Sequence, residues 1–572
     1  MRIVSILFLC FVLFGAGCSG KESDDRTSAD IIFYNGNIIT VDPDLPEATA
    51  VAIRAGKILA VGNDSDVRTL SGDQTDQIDL KRQTVIPGLI ESHAHFMDVG
   101  YTKMKLDLTG AKTWDEIVIL VARAAKSAEP GAWILGRGWH QEKWIEPMHQ
   151  EIEGYPVHTK LSAAAPANPV YLTHASGHAI VANQIAMSHA GIDQNTPDPE
   201  GGRILRFEDG SPSGVFLENA ESYILDLYSN DFSNKSPQEQ KRYEEKAFDL
   251  AVQTCLDNGI TTFHDAGASF ETVNFFHEML DAGKMSVRLY VMLGASNKQL
   301  AEKMAEYRIV GAGDNHLTVR AIKRFIDGAL GAHGAWLLEP YADLPSSTGL
   351  NTTDLADLRE TARLADKYGY QLCTHAIGDR GIRETLNIYE NYTKKDDQRW
   401  RIEHAQHIDP TDLPRFAAAG IIAAMQTNHA TSDGPWVIKR LGEKRSQEGA
   451  YVWRKLIDSG AVICNGTDAP VENINPMANF YSAVSRKYSD DRAFYPDQSM
   501  TREEALKAYT INGAYASFEE HLKGSITPGK LADLTILSDD LLTIPESEIP
   551  SIKVTGTVIS GRFVYRASGK TE

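Results

Sequence analysis

Cysteine is scarce in this chain, with five in 572 residues. Cys10 and Cys18 sit at the N-terminus, which leaves Cys255, Cys373 and Cys464, an odd set without metal-ligand spacing. That excludes a disulfide framework and a thiolate metal cluster, so stability has to come from a packed core. Cys373 and Cys464 fall inside apolar strands and read as buried structural thiols. Positive charge is also in deficit: 57 Lys and Arg face 77 Asp and Glu, a net charge of −20. Nucleic acid is therefore not an expected partner, and the acidity reads as solubility. Beyond the first residues no stretch is long and apolar enough to cross a bilayer. Internal repeats are missing, and the Gly-rich run Asp327 to Gly334 lacks Walker or Rossmann spacing, so no phosphate site is read there.

The N-terminus has the form of a targeting segment. Arg2 precedes an apolar stretch from Ile3 to Phe14, too short for a membrane-spanning helix. Gly15-Ala16-Gly17-Cys18 follows and resembles a bacterial lipoprotein cleavage box in which Cys18 becomes the lipidated first residue. Gly15 stands where such boxes usually carry Leu, and plain secretion with cleavage nearby is the rival reading. The expectation is a signal peptide over 1–17, a flexible tether over 18–30, and an exported, periplasmic or cell-envelope lipoprotein anchored at Cys18.

The remaining chain, at 42% hydrophobic residues overall, is long enough for more than one domain. Short apolar runs broken by turns fill 31–85 and recur over 525–567, which predicts one composite β-sandwich from both chain ends. Asn35-Gly36 carries a hairpin signal. Between them, over 86–524, strand candidates alternate with helices: Val85-Ile86, Ile260 to His264, Val287 to Met292, Thr318 to Ile326, Gln371 to His375, Trp400 to His404, Ile421 to Gln426 and Ala461 to Asn465. Capping signals at Thr113, Ser236-Pro237 and Thr501, and Gly369 after Tyr368, mark helix ends. Eight strands with helical crossovers predict an α/β fold, a TIM-like (β/α)8 barrel. The stretch of about 131–222 is too long for a crossover and predicts an inserted lobe after strand one.

The chemistry gathers at predicted strand ends, where such barrels carry their catalytic groups. His93 and His95 form a His-x-His pair, which period-2 geometry places on one face, and two adjacent imidazoles chelate a divalent metal. Seventeen histidines make roughly 0.5 such pairs by chance, so the pair alone decides nothing. Lys323, His375, His404 and Asp468 then follow at later strand ends. Val319, Ala321 and Lys323 share a face, as do Ile402 and His404, which fits inward-facing rim positions. Cleaving an amide-like bond needs a polarised carbonyl and an activated water, and zinc-type cations supply both, lowering the bound water's pKa from 15.7 to about 7. A carboxylate beside that water can carry its proton to the leaving amine, and Asp468 is the candidate so placed. Taken singly, a strand-end His is more often a hydrogen-bonded core residue. Lys323 could pair with Asp327 or Asp468, and Asp468 could cap the turn before Pro470. His264 reads as pocket lining or as support behind the ligands. His178 in the lobe, and His407 and His429 after strands six and seven, are candidate substrate contacts. His140, with Trp139 and Trp144, fits lobe core or pocket.

At this point the sequence resembles the amidohydrolase superfamily, in the branch called amidohydrolase family 3, which includes N-substituted formamide deformylases. The matching pieces are Val85 to His95, Ile322 to Gly331, His375-Ala376-Ile377-Gly378-Asp379, Arg401-Ile402-Glu403-His404-Ala405, Gly466 to Val471, and Gly524 to Asp533. The likeness runs from about Ala29 to Tyr565. It implies that His93, His95 and Asp468 bind the more buried of two Zn2+ ions and that His375 and His404 bind the more exposed one. It further implies that Lys323 is carboxylated and bridges them, since a carbamate offers anionic oxygen where an ammonium would repel the cations. An unmodified Lys323 would suggest a single-metal site.

The expected activity is that of a metal-dependent amidohydrolase. It would cleave a non-peptide carbon–nitrogen bond in a linear or N-substituted amide, by metal-activated hydroxide with Asp468 as proton shuttle. The expected partner is a small-molecule substrate, with membrane contact only through the lipid anchor and a homodimer left open. Two rivals stand beside this: the same site used for ester hydrolysis or isomerisation, since a fold does not fix a reaction, and a non-enzymatic lipoprotein that binds a metal or solute.

Overall fold

A computed structural model of the chain describes residues 28–567, apart from 142, 143, 147, 149, 175–178, 200, 394–396 and 489. The expected signal peptide, Cys18, most of the tether and His178 lie outside the described residues. Among those described, no helix is long and apolar enough to cross a membrane.

Both chain ends build one β-sandwich. A four-stranded sheet has the order Lys57–Gly62, Ala50–Arg54, Ile31–Tyr34, Asp76–Asp79. The facing sheet has the order Arg562–Arg566, Val554–Ile559, Leu534–Leu537, Thr84–Pro87, Asn37–Ile39, Glu47–Ala48. Alternating apolar residues of the two sheets, among them Phe33, Ile38, Val51, Val85, Leu534 and Val558, fill the space between them. Asn35-Gly36 does not close a hairpin, because Ile31–Tyr34 and Asn37–Ile39 lie in different sheets. Asn35 takes a left-handed φ of 54° and turns the chain from one layer to the other. Val85 and Ile86 likewise belong to the sandwich: Thr84–Pro87 pairs antiparallel with Leu534–Leu537. Barrel strand one begins only after Gly88, where an added Cβ would sit 2.3 Å from the Thr261 hydroxyl.

The barrel strands are Leu89–Ala94, Ile260–Ala268, Arg288–Leu293, Leu317–Phe325, Gln371–Ala376, Arg401–His404, Ile422–Met425 and Ile463–Asn465, strands one to eight. They lie in sequence order and pair in parallel. The segment after strand eight meets strand one: Asp468 N–H donates to the His93 carbonyl and His95 N–H to the Ala469 carbonyl, both at 2.8 Å. Gly466 permits this approach, since a Cβ there would stand 2.5 Å from the His93 nitrogen. Helices surround the sheet, several with the expected ends. Pro237–Asp257 opens on the reciprocal Ser236–Glu239 capping box, and Leu355–Tyr368 ends on left-handed Gly369. Cys255, Cys373 and Cys464 are free and buried.

The inserted lobe is a six-stranded sheet ordered Gly202–Arg206, Pro212–Glu218, Ala179–Ala182, Val170–His174, Ile134–Trp139, Leu106–Asp107. It therefore starts before residue 131. Helix Trp114–Ser127, opened by the Thr113 cap, packs Trp114, Ile117 and Val121 onto this lobe rather than onto the barrel.

Candidate metal centre

The floor of the centre is built by strand six, and not with the face the alternation predicts. Arg401 and Glu403 point into the barrel. Arg401 reaches His264 on strand two (3.1 Å) and the Ser92 carbonyl on strand one (2.6 Å), and it grips Glu403 through Nε–Oε1 (2.7 Å) and Nη2–Oε2 (2.9 Å). Ile402 packs outward into the core shared with the helices. His404 still reaches the centre because its backbone leaves the strand with a left-handed φ of 71°, which breaks the period-2 rule at the strand's last residue.

The six expected residues adjoin one another at the C-terminal mouth. Suitably chosen ligand atoms of His93, His404 and Asp468 all lie within 4.8 Å of one another. Asp468 Oδ1 is 3.2 Å from His95 Nε2 and 3.6 Å from His93 Nε2. Lys323 Nζ is 3.2 Å from His93 Nε2. The His375 and His404 rings lie 4.4 Å apart, and those of His93 and His404 4.7 Å. His95 lies just beyond strand one, at the N-cap of helix Phe96–Lys103, and is the ligand candidate open to solvent, at 28% side-chain exposure. Phe325, next on the inner face after Lys323, turns a half-exposed ring to the mouth 5.2 Å from His375.

Electrostatics keeps His93, His375 and His404 neutral and Asp468 and Glu403 charged, while at the more open His95 burial is outweighed by Asp468, which raises it. Burial, and then the Lys323 charge, lowers the pKa of His93 to about 4 and of His375 to about 3. Burial and the neighbouring His375 and His93 hold His404 well below the usual range. Burial works against ionised Asp468 and Glu403, but is outweighed by His429 and His95 at the first and by Arg401 and His93 at the second. Burial also pushes Lys323 down. Glu403 Oε2 accepts from His93 Nδ1, and Gln426 Oε1 accepts from His404 Nδ1 at 2.7 Å. Gln426 is fixed in that sense because its Nε2 donates to the Ala424 carbonyl. His93 and His404 thus each turn an Nε2 lone pair to the centre, the form a metal binds. His375 Nε2 is buried without a hydrogen-bond partner among the described residues, a cost that a cation at the centre would remove. The donor set fits a divalent metal.

A family model described as the amidohydrolase family matches residues 76–565. The chain belongs to the amidohydrolase family. Over 94% of its length this amidohydrolase is 33% identical to the protein LONG AFTER FAR-RED 3 of Arabidopsis thaliana, covering 92% of that protein. It is 28% identical to the N-substituted formamide deformylase of Arthrobacter pascens, over 94% of the chain and 99% of the relative. Its fold matches a metal-dependent hydrolase of Pyrococcus horikoshii with a TM-score of 0.73 and 25% identity, over 90% of this chain and 99% of that one.

Of the candidate substrate contacts in this amidohydrolase, the structure brings His429 to the centre, its Nε2 3.6 Å from Asp468 Oδ2 and its Nδ1 3.6 Å from Glu472 Oε1. Those two carboxylates outweigh burial and raise it to about 10. His264 is not a substrate contact: it is wholly buried beneath the ligands, against Arg401 and Tyr290. His407 is buried beside Asp379, 3.4 Å away, and Gly449 closes over its ring, so it does not face the mouth either.

Asp468 is not alone as a buried carboxylate near the ligands. Asp327 lies 3.6 Å from His375 Nε2, accepts the N–H groups of Trp336, Ile377 and Gly378, and is raised to about 7 by burial. Asp265 accepts the N–H of Phe96 next to His95, and burial raises it to about 6. Glu91, raised by burial to about 8, accepts from His93 and Thr467 and ties strand one to strand eight. Sequence reasoning gave no role to Arg401, Glu403, Gln426, Asp265 or Glu91, and offered Asp327 only as a partner for Lys323. A signal existed for one pair, because charged residues at i and i+2 of an otherwise apolar strand lie on one face and need each other as partners.

Proposed function

We propose that this amidohydrolase cleaves a non-peptide carbon–nitrogen bond in a linear or N-substituted amide, with two Zn2+ ions held by His93, His95, His375, His404 and Asp468 and bridged by carboxylated Lys323. The observation that carries the reading is Lys323. Its amine is buried, aims at the ligand nitrogen of His93, and forms no ion pair with a carboxylate among the described residues. A cation in that place opposes metal binding. Burial favours the neutral amine, which can add carbon dioxide, lose a proton and become an anionic oxygen ligand. When bound, the cations would polarise the substrate carbonyl and acidify water.

The chain's own groups do the rest. Asp468 stays ionised, with Oδ2 held by His429 and Oδ1 turned to the ligand imidazoles, so Oδ1 can take a proton from the attacking water and pass it to the leaving nitrogen. His429, held cationic between Asp468 and Glu472, turns one ring N–H to each carboxylate and so fixes the orientation of Asp468. Glu403 and Gln426 hold the His93 and His404 rings in place.

The test is zinc-loaded protein assayed on matched amides and esters, with intact mass under native conditions. Amide turnover and a mass increment of one carbon dioxide, lost in Lys323→Met, are expected. Full metal occupancy with no amide turnover would favour a binding role, and faster ester turnover a different reaction.

A further inference from the structure

Beside the loop that carries Asp468 lies a cavity of about 620 Å³, walled by helix Phe96–Lys103, by the start of the lobe and by residues 469–474. Part of its lining is apolar, from Val99, Pro470 and Ile474. Lys103, Lys105 and Arg137 also line it, and none of their side chains makes a hydrogen bond or ion pair to a described residue. The lobe's register gathers two of them: Asp107 lies opposite Arg137 in a parallel pair, so Lys105 enters beside the same strand. The two carboxylates in the lining are engaged elsewhere. Asp107 accepts the N–H (3.0 Å) and hydroxyl (2.6 Å) of Thr109, and Glu472 faces His429. Burial, and then the Arg137 guanidinium, hold Lys105 below the usual lysine range, with Asp98 opposing.

Like charges collected in a half-buried cleft cost free energy until an anion joins them. They are conspicuous in a chain of net charge −20. The planar guanidinium matches a carboxylate in two-point contact, and the ammonium adds a point charge. Glu472 links the cleft to the centre, since its partner His429 also touches Asp468.

We propose that this cleft is a subsite for a carboxylate carried by the substrate, bound by Arg137 and Lys105 with Lys103 at the rim. The inference rests on the amide-hydrolase reading and narrows it to amides whose apolar spacer ends in an acid, the spacer lying along Val99, Pro470 and Ile474.

The experiment compares kcat/KM of the zinc-loaded protein on ω-formamido acids of increasing chain length with N-alkylformamides of equal length. A preference for the acids of about tenfold or more is expected at the chain length that spans the cleft. The ratio should collapse toward one in Lys105→Met and in Arg137→Met. Lys105→Met precedes the lobe strand, so it remains informative if Arg137→Met does not fold. No preference at any length, or a preference that both variants keep, overturns the proposal. If no amide is turned over, the parent reading has failed, and the cleft is read by calorimetry with glutarate. Binding weakened about tenfold in Lys105→Met sustains the subsite, and equal or absent binding overturns it. Inorganic phosphate bound more tightly than glutarate, through the same lysine, would overturn the assignment to a carboxylate.

Discussion

Asp468 holds a left-handed φ of 58°, a conformation that Asp tolerates better than most residues and that swings its carboxylate between the ligand imidazoles and His429. Asp468→Asn keeps the shape and one oxygen but cannot take a proton. Metal content should stay near that of the parent while turnover falls by about 10²–10⁴-fold, read by emission spectrometry and steady-state rates; unchanged turnover would remove Asp468 from the mechanism. Glu403 acts through His93. Glu403→Gln still offers an oxygen to Nδ1, yet it loses the charge that answers Arg401, so metal affinity should fall about 10–100-fold, measured by chelator competition. Affinity equal to the parent's would reduce Glu403 to packing.

A buried ion pair helps to join the barrel and the sandwich. Arg288 on strand three donates to both oxygens of Asp533 at 2.7 and 3.0 Å, and its Nη2 also reaches the Ser560 hydroxyl at 2.8 Å. Both side chains are nearly inaccessible, so removing one charge strands the other. Asp533→Asn should cost about 3–5 kcal/mol in denaturant unfolding. Burial raises the Asp533 pKa, but Arg288 outweighs it and holds the carboxyl below its usual value. A depressed carboxylate contributes stability above the unfolded pKa of about 3.9 and loses it as pH falls through the folded value. The parent should thus lose stability below about pH 4 by an increment that Asp533→Asn lacks. Parallel pH profiles for the two would contradict this.

At the scale of the molecule, the proposed ligands come from strands one, four, five, six and the end of eight, so a metal bound there would tie together segments that span most of the chain. A cation held by the folded state and not by the unfolded chain stabilises the fold. With free metal at 100–1,000 times its Kd, stability should rise by about 2.7–4.1 kcal/mol. Chelation should lower the thermal midpoint by the corresponding amount and metal return should restore it. A midpoint indifferent to chelator would argue against a metal bound across these strands.

Much of this was legible locally. The apolar runs of strands two to eight, the caps at Ser236 and Gly369, and the order His93, His95, Lys323, His375, His404, Asp468 are properties of short segments, and short segments determine strand, helix and donor type. What the tertiary structure decided is where those segments face. Asn35-Gly36 has hairpin chemistry, but it switches sheets because each flanking strand finds a distant partner. Ile402 and His404 share a parity, yet Arg401 and Glu403 take the interior, since only there do they meet His264, Ser92 and His93, and a single left-handed angle returns His404 to the mouth. His264 has the composition of a ligand and is buried as support. A sequence carries periodicity and chemistry residue by residue, whereas inward and outward are defined only once strands far apart in the chain close into a ring.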